Sequence, residues 1–120
     1  MTADTPMTPA ERVRAYYEAV WIGGQIERIA EFCADGVTRH DLKGTVTLSH
    51  AQQRERLLSH PGFKHRIIRI FGDHQFATMF FEVRRPDDEL LMAGIEVLRF
   101  EDGKIVENWT GVRPGLDWSA

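Results

Sequence analysis

This sequence of 120 residues has few of the features that mark an exported or membrane protein. Its single cysteine, Cys33, leaves no partner for a disulfide within the chain, and nothing indicates an oxidising compartment. No apolar run approaches the roughly 20 residues that a membrane-spanning helix needs. Residues 1–13 lack the charged start and apolar stretch of a signal peptide. We therefore expect a cytoplasmic protein with no membrane segment.

An excess of positive charge is also missing. The chain has 15 Lys and Arg against 18 Asp and Glu, and its net charge of -3 is unlike that of a dedicated nucleic-acid binder, which is usually basic. The five histidines show no His-x-His or HExxH spacing, and no glycine-rich phosphate loop is present. We expect no nucleic-acid partner and no bound metal.

Helix signals dominate the first half of the chain. Thr8 and Glu11 form a capping box, and Pro9 suits the first helical position. The apolar stripe that follows extends to Trp21, and Gly23 with the next glycine ends this helix.

Two shorter helices and two short strands are predicted next. Apolar spacing predicts a helix that begins near residue 26 and ends near residues 35–36, with Cys33 on its apolar side. Residues 37–41 and 44–48 look like strands. Ser49 and Gln52 form a second capping box, so a third helix should run to about residue 59.

Strand signals then continue to the end of the readable pattern. They cover residues 63–71, 74–85, 90–101 and 104–112, separated by turn-forming Gly, Pro and Asp residues. Helices followed by hairpin-linked strands predict an α+β domain with a mostly antiparallel sheet packed on its helices. We assign this domain to residues 8–113, preceded by a loose lead (1–7) and followed by a short tail (114–120).

The last two predicted strands contain one conspicuous residue, Glu96. Asp102 and Gly103 suit the two-residue turn between these strands, because both tolerate positive φ. Strand alternation places Glu96 on the same face as four apolar or glycine residues: Met92, Gly94, Leu98 and Phe100. A carboxyl group on such a face must find a partner, stay protonated or lie in a pocket.

Two segments resemble a known superfamily. RAYYEAVWIGGQIERIAEFCADGVTRHD and GIEVLRFEDGKIVENW look like the nuclear transport factor 2-like superfamily, which includes SnoaL-like polyketide cyclases and ketosteroid isomerases. The resemblance covers residues 8–112. It implies a cone, in which a strongly curved sheet wraps around a long helix and leaves a pocket at the open end. It also implies a homodimer, for which Ile95 and Val97, on the face opposite Glu96, could supply an apolar surface.

Three positions resemble the catalytic set of the ketosteroid isomerases. Tyr16 is similar to the tyrosine of the oxyanion hole, and its neighbour Tyr17 could exchange roles with it. Asp41 resembles the general base, and Glu96 stands where the isomerases have a protonated aspartic acid. The sequence departs from this pattern by having Glu at 96 and by having Leu42 where a proline usually follows the base.

Other branches of the superfamily match less well. SnoaL-like cyclases place a His and an Asp on the last strand, and limonene epoxide hydrolases also need a carboxylate there. Here Asn108 and Thr110 occupy those two positions, and neither is an ordinary acid or base. A cyclase or hydrolase would instead have to use His40 with Asp41.

Each candidate also has a structural interpretation. Tyr16 fits a core tyrosine with a satisfied hydroxyl. Asp41 could pair with Arg39 or Lys43, and such a cation would make it a weaker base. Glu96 could face outward and pair with an arginine from another strand.

The pocket wall is expected to be mainly apolar. We predict contributions from Trp21, Phe32, Phe63, Phe80, Leu98 and Trp109, with Asn108 and Thr110 as further substrate-binding residues. Such a wall favours a hydrophobic ligand of steroid, polyketide or terpenoid type. Two functions follow: an isomerase that needs no cofactor, with Asp41 as base, or a binding or accessory protein without chemistry.

Overall fold

Helices come first in this chain and strands follow, as predicted. The computed structural model describes residues 7–118. The helical elements are α1 (Pro9–Tyr16), a π-helix (Tyr17–Ile22), a 3₁₀ turn (Ile26–Arg28), α2 (Ile29–Phe32) and α3 (His50–Leu58). The strands are β1 (Cys33–Asp41), β2 (Gly44–Leu48), β3 (Lys64–Gly72), β4 (Phe76–Arg84), β5 (Leu90–Glu101) and β6 (Lys104–Pro114). Apart from Met7, the predicted N-terminal lead lies outside the described residues.

Both predicted capping boxes are present. The Thr8 hydroxyl accepts a hydrogen bond from the Glu11 amide at 3.2 Å, and the Glu11 carboxylate accepts one from the Thr8 amide at 2.9 Å. Ser49 and Gln52 make the same reciprocal pair at the start of α3. These bonds satisfy amides that a helix leaves without internal partners, so each helix starts where the sequence predicted.

The first helix changes its geometry before it ends. It continues from α1 into the π-helix, and the Gly23 amide donates to the carbonyl of Glu18, five residues earlier, at 2.9 Å. The chain then leaves the helix at Gly23, as predicted.

The second predicted helix is shorter than expected. Helix α2 ends at Phe32, and Cys33 is the first residue of β1, with an extended φ of -119°. Cys33 pairs with Ile105 of β6, so the placement of this residue on a helix was wrong. Its predicted burial is confirmed, with 3% of the residue exposed.

The six strands form one open sheet in the order β2-β1-β6-β5-β4-β3. All neighbours are antiparallel except β1 and β6, which run parallel. The β5–β6 turn has positive φ at Asp102 (50°) and Gly103 (76°), as its sequence predicted. The α+β class with a mostly antiparallel sheet is therefore confirmed.

The two faces of this sheet have different surroundings. The inner face, defined as the one packed against the helices, contributes Met79 and Leu98 to a core that α1 and the π-helix complete with Val13 and Val20. The outer face includes Ile95, which remains 39% exposed. The domain core thus lies between the helices and the inner face.

The C-terminal tail packs on the outer face. The Trp118 indole donates to the Phe81 carbonyl at 3.1 Å, and its ring stacks on Phe80 with centroids 5.3 Å apart. Among residues 7–118, no helix is long and apolar enough to cross a membrane.

Candidate functional site

Glu96 lies on the inner face at the centre of a buried polar group. Its residue is 4% exposed. The Tyr17 hydroxyl donates to Oε1 at 2.5 Å. The Thr110 hydroxyl and the Asn108 amide donate to Oε2 at 2.6 and 3.0 Å. We call Tyr17, Glu96, Asn108 and Thr110 the Glu96 cluster; both carboxylate oxygens of Glu96 are hydrogen-bonded within it.

Strand register assembles three of the four members. In the β5–β6 pair, Glu96 faces Thr110 and Leu98 faces Asn108. Because side chains two residues apart share a face, Glu96 and Leu98 of β5 and Asn108 and Thr110 of β6 all point inward. The fourth member, Tyr17, is the first residue of the π-helix, and this helix lies above this part of the sheet.

Arg39 connects the cluster to Asp41. Its Nε lies 3.0 Å from Asp41 Oδ2, and its Nη1 lies 3.7 Å from Glu96 Oε2. The Lys43 amide also donates to Asp41 Oδ1 at 2.8 Å. That amide first, and then Arg39, lowers the pKa of Asp41 below its ordinary value of 3.8. Asp41 is therefore held ionised and is a weaker base than a free aspartate.

Tyr17, rather than Tyr16, reaches Glu96. Tyr16 instead packs edge-on against Tyr17 with centroids 5.3 Å apart, and against Phe32 at 5.7 Å. Burial raises the pKa of both phenols, and for Tyr17 the charge of Glu96 raises it further. Tyr17 thus keeps its proton at neutral pH and remains a donor.

Two inward-facing residues, Arg56 and His65, were not predicted. The Arg56 guanidinium lies 5.5 Å from the Trp21 ring centre, and the His65 ring lies 4.8 Å from it. Burial lowers the pKa of His65 to about 4, so this imidazole is neutral at pH 7. Arg56 follows the buried Gln53 by three residues on α3, so the inward face of that helix was the available signal.

Two small cavities adjoin the Glu96 cluster. One of about 40 Å³ is lined by Gln53, Arg56 and Asn108, among others. The second, of about 100 Å³, includes Trp21 and His65 in its lining. The two cavities share five lining residues: Tyr17, Trp21, Arg39, Arg56 and Glu96.

A larger cleft opens beside them. It measures about 450 Å³ and lies between the end of the π-helix, the end of α3 and the start of β3. Trp21 and His65 line both this cleft and the 100 Å³ cavity. Trp21 therefore stands between the outside and the Glu96 cluster.

The predicted pocket-wall residues divide into three groups. Trp21, Leu98, Asn108 and Thr110 line the inner cavities, and Phe63 lines the cleft. Phe32 is part of the core beside Tyr16.

Phe80 and Trp109 require a correction, because both lie on the outer face. Phe80 pairs with Ile95 and Trp109 with Val97, and these partners alternate with the inward-facing Glu96. Adjacent residues of a strand point to opposite faces, so the side chain of Trp109 points away from the inner cavities that Asn108 and Thr110 line.

His40 also lies on the outer face. Its Nε2 is 2.6 Å from a Glu107 carboxylate oxygen, its Nδ1 is 2.9 Å from the Thr45 hydroxyl, and its ring stacks on Trp109. Asp41 is the next residue of β1 and bonds to the inward-facing Arg39. His40 and Asp41 therefore bond to different partners, although both residues line the same groove on the outer face.

Metal ligands are not grouped in the part of the chain that the structure describes. Within residues 7–118, no three His, Cys, Asp or Glu side chains are arranged to hold a metal ion.

Sequence and structure comparisons give one consistent family. The model of the SnoaL-like domain matches residues 13–108. No curated protein matches the chain significantly.

Solved structures share the fold at low sequence identity. A protein from Kribbella flavida proposed to be a ketosteroid isomerase has a TM-score of 0.77 and 19% identity, with 91% of this chain and 80% of that chain covered. A protein from Acidithiobacillus ferrooxidans proposed to be a polyketide cyclase has a TM-score of 0.75 and 19% identity, over 93% and 91%. Another such protein, from Streptomyces antibioticus, has a TM-score of 0.71 and 17% identity, over 88% and 92%.

Proposed function

Because the chain belongs to the SnoaL-like family, we propose that it binds a small hydrophobic organic molecule whose polar end meets the Glu96 cluster. The observation behind this proposal is a fully hydrogen-bonded carboxylate buried beside two cavities of a largely apolar interior. Ligand sites are typically apolar pockets with a few convergent polar groups.

The ligand body is assigned to the cleft. At about 450 Å³ the cleft has the size of a small-molecule site, whereas the two inner cavities are far smaller. Trp21 lies at the junction between the cleft and the inner cavities, so its side chain must move for a ligand to reach Glu96 from the cleft. A steroid, polyketide or terpenoid skeleton fits this division into an apolar body and a polar end.

The test is a calorimetric titration with uncharged hydrophobic probes, beginning with an α,β-unsaturated 3-ketosteroid. We expect saturable binding that Glu96→Gln weakens, because the polar end of the pocket is altered. Glu107→Gln, on the outer face, is the matched control and should leave the affinity unchanged. Equal affinities for wild type and Glu96→Gln would contradict the assignment of the site.

A second candidate function is isomerisation by proton transfer. The short Tyr17–Glu96 hydrogen bond favours it, because a proton on Glu96 Oε1 would let Glu96 donate to Tyr17 and free the phenol to donate to a substrate oxygen. Asp41 would remove a proton next to the carbonyl and return it at the far end of the shifted double bond. Because Asp41 lines neither the inner cavities nor the cleft, the substrate must extend past Arg39 to reach it. Tyr17 takes the place predicted for Tyr16, since its hydroxyl is the one bonded to Glu96.

Absorbance spectroscopy tests the chemistry directly. Mixing the protein with a β,γ-unsaturated 3-ketosteroid should yield the conjugated product. Asp41→Asn should lower turnover by about two to four orders of magnitude, the usual effect of losing a general base. Unchanged turnover in that variant would remove Asp41 from the mechanism, and binding without turnover would favour a non-catalytic pocket.

We also propose a homodimer formed through the outer face. Ile95 and Trp109 are 39% and 37% exposed there, and both line an apolar groove of about 630 Å³. Sedimentation at micromolar concentration should give twice the monomer mass, and a monomer would contradict the proposal.

A further inference from the structure

We propose that the molecule bound in this pocket is a carboxylic acid that also has a hydroxyl group, and that Arg56 binds its carboxylate. The inference rests on the function proposed above and specifies the class of ligand. It follows from the donors and acceptors that the interior leaves without protein partners.

Arg56 is the first of these groups. It is half-buried and lines both inner cavities, yet no carboxylate of residues 7–118 lies within 4 Å of its guanidinium nitrogens. Its side chain makes no hydrogen bond within that range of the chain either; its ring contact is with Trp21. A buried cation in this position is stabilised by an anion, and a guanidinium can bind both oxygens of a carboxylate.

Arg39, another arginine of the same interior, already has carboxylate partners. It bonds to Asp41 at 3.0 Å and lies 3.7 Å from Glu96. Glu96 in turn accepts three further hydrogen bonds. The carboxylates of Asp41 and Glu96 are therefore already engaged, and Arg56 is the cation of this group that remains for a ligand.

Two acceptors indicate the second group of the ligand. Gln53 Oε1 and Asn108 Oδ1 are buried without a hydrogen-bond partner, and both residues line the 40 Å³ cavity together with Arg56. The Gln53 amide nitrogen donates to the Leu48 and Ala34 carbonyls, which fixes the orientation of the side chain. Unpaired buried acceptors require a donor, and a hydroxyl group provides one beside the carboxylate.

The neutral state of His65 supports the assignment of Arg56 as the residue that binds the carboxylate of the ligand. Its ring lies against Trp21 on the other side of the junction, and its pKa of about 4 keeps it neutral at pH 7. Arg56 is thus the cationic side chain beside Trp21 that an entering anion meets.

The test compares hydroxylated acids with their uncharged primary amides by calorimetry at pH 7. The probe pairs are mandelate with mandelamide, 4-hydroxycinnamate with its amide, and 3-hydroxybenzoate with its amide. We expect at least one acid to bind ten-fold or more tightly than its amide. Arg56→Gln should weaken that acid by about 10- to 100-fold, as expected for the loss of a charged hydrogen bond, and leave the amide unchanged.

Control variants separate charge from folding. Arg54→Gln removes an arginine of α3 that lines none of the cavities described above and should leave acid binding intact. Arg56→Lys keeps the charge and should retain part of the preference for the acid. Thermal unfolding of each variant shows whether it is folded.

The outcomes also distinguish this inference from the proposed function. If uncharged ketosteroids bind in a Glu96-dependent way while the acids bind no better than their amides, the pocket stands and this inference is wrong. Acid binding that is unchanged in Arg56→Gln overturns the role of Arg56. If no acid, amide or ketosteroid binds, both proposals are wrong.

Discussion

The two faces of β5 reverse the usual distribution of residues. On the inner face Glu96 is buried among tyrosine, asparagine and threonine side chains, whereas on the outer face Ile95 is 39% exposed. At these two neighbouring positions the polar residue is buried and the apolar residue is exposed, although the core around Glu96 is otherwise apolar. This arrangement is costly for a protein that only has to fold, which points to the inner face as a ligand site and to the outer face as an interface.

The ion pairs of Glu107 on the outer face are organised differently. Glu107 is bonded to His40 at 2.6 Å and to Arg99 at 3.0 Å, but all three side chains keep 21–31% of their surface exposed. Water compensates these charges, so each pair contributes little to stability. A charged contact therefore contributes more to the stability of the fold at Glu96 than at Glu107. Variants at the two positions can measure this difference in the free energy of unfolding.

The largest difference should appear when a carboxylate is removed from each face. Glu96→Ala leaves Tyr17, Asn108 and Thr110 without their common acceptor and Arg39 with one carboxylate. We expect a loss of about 3–5 kcal/mol in the free energy of unfolding, measured with urea. Glu107→Ala should cost much less, because solvent screens the charge of Glu107. Equal losses would show that burial does not separate the two sites.

The next effect concerns association through the outer face. Ile95→Asp places a charge in the apolar groove and should raise the dimer dissociation constant by about 100-fold or more, because an unpaired charge at an interface is strongly unfavourable. Analytical ultracentrifugation gives this constant. Val46→Asp, on an exposed part of β2 outside the groove, is the control and should remain dimeric. Dimers that persist in Ile95→Asp would place the interface elsewhere.

A third effect is the pH dependence of the inner face. His65 has an ordinary pKa of 6.5 that burial lowers to about 4, so between these values the unfolded chain binds more protons than the folded one. Stability from this group is fully present above pH 6.5 and is lost as the pH falls toward 4. Wild type should lose about 2–3 kcal/mol relative to His65→Phe across this range, at roughly 1.4 kcal/mol per pKa unit.

Unfolding curves at several pH values measure this loss. His74→Gln, at an exposed position between β3 and β4, should keep the pH dependence of the wild type. A parallel pH dependence for wild type and His65→Phe would mean that His65 is not held neutral by burial.

The smallest expected change in stability is that caused by Asp41→Asn. Its folded pKa is depressed by the Lys43 amide and Arg39, so its contribution is present above its ordinary value of 3.8 and is lost as the pH falls through the lower, folded value. Asp41→Asn should cost about 1 kcal/mol at pH 7, the scale of a partly exposed hydrogen bond. At pH 2 the two proteins should be nearly equal in stability, and a constant difference would contradict this explanation.

Local patterns were sufficient to predict much of the fold. Both capping boxes and the Asp102–Gly103 turn are determined by neighbouring residues, and strand alternation placed Glu96 on the inner face. Alternation also predicts the direction of the Trp109 side chain. Trp109 stands between Asn108 and Thr110 in the strand and must point to the opposite face.

Contacts between distant segments could not be predicted in this way. The sequence did not indicate that Tyr17 instead of Tyr16 meets Glu96, because the π-helix sets the direction of these side chains. Nor did it show Arg39 lying between Asp41 and Glu96, since alternation fixes a face and not a distance. Arg56 was missed because helical spacing gives the inward face of α3 but does not show which cavities that face lines.

The π-helix makes the geometry of the pocket depend on chain length as well as on residue type. A π-turn accommodates one residue more than an α-turn, and here it spans the stretch that holds both Tyr17 and Trp21. Deleting one residue between Tyr17 and Trp21 would restore ordinary helical spacing and rotate Trp21 by about 100° around the helix axis relative to Tyr17. Related chains that differ by a single residue at this point would therefore present a different junction to the cleft, even with every side chain around Glu96 unchanged.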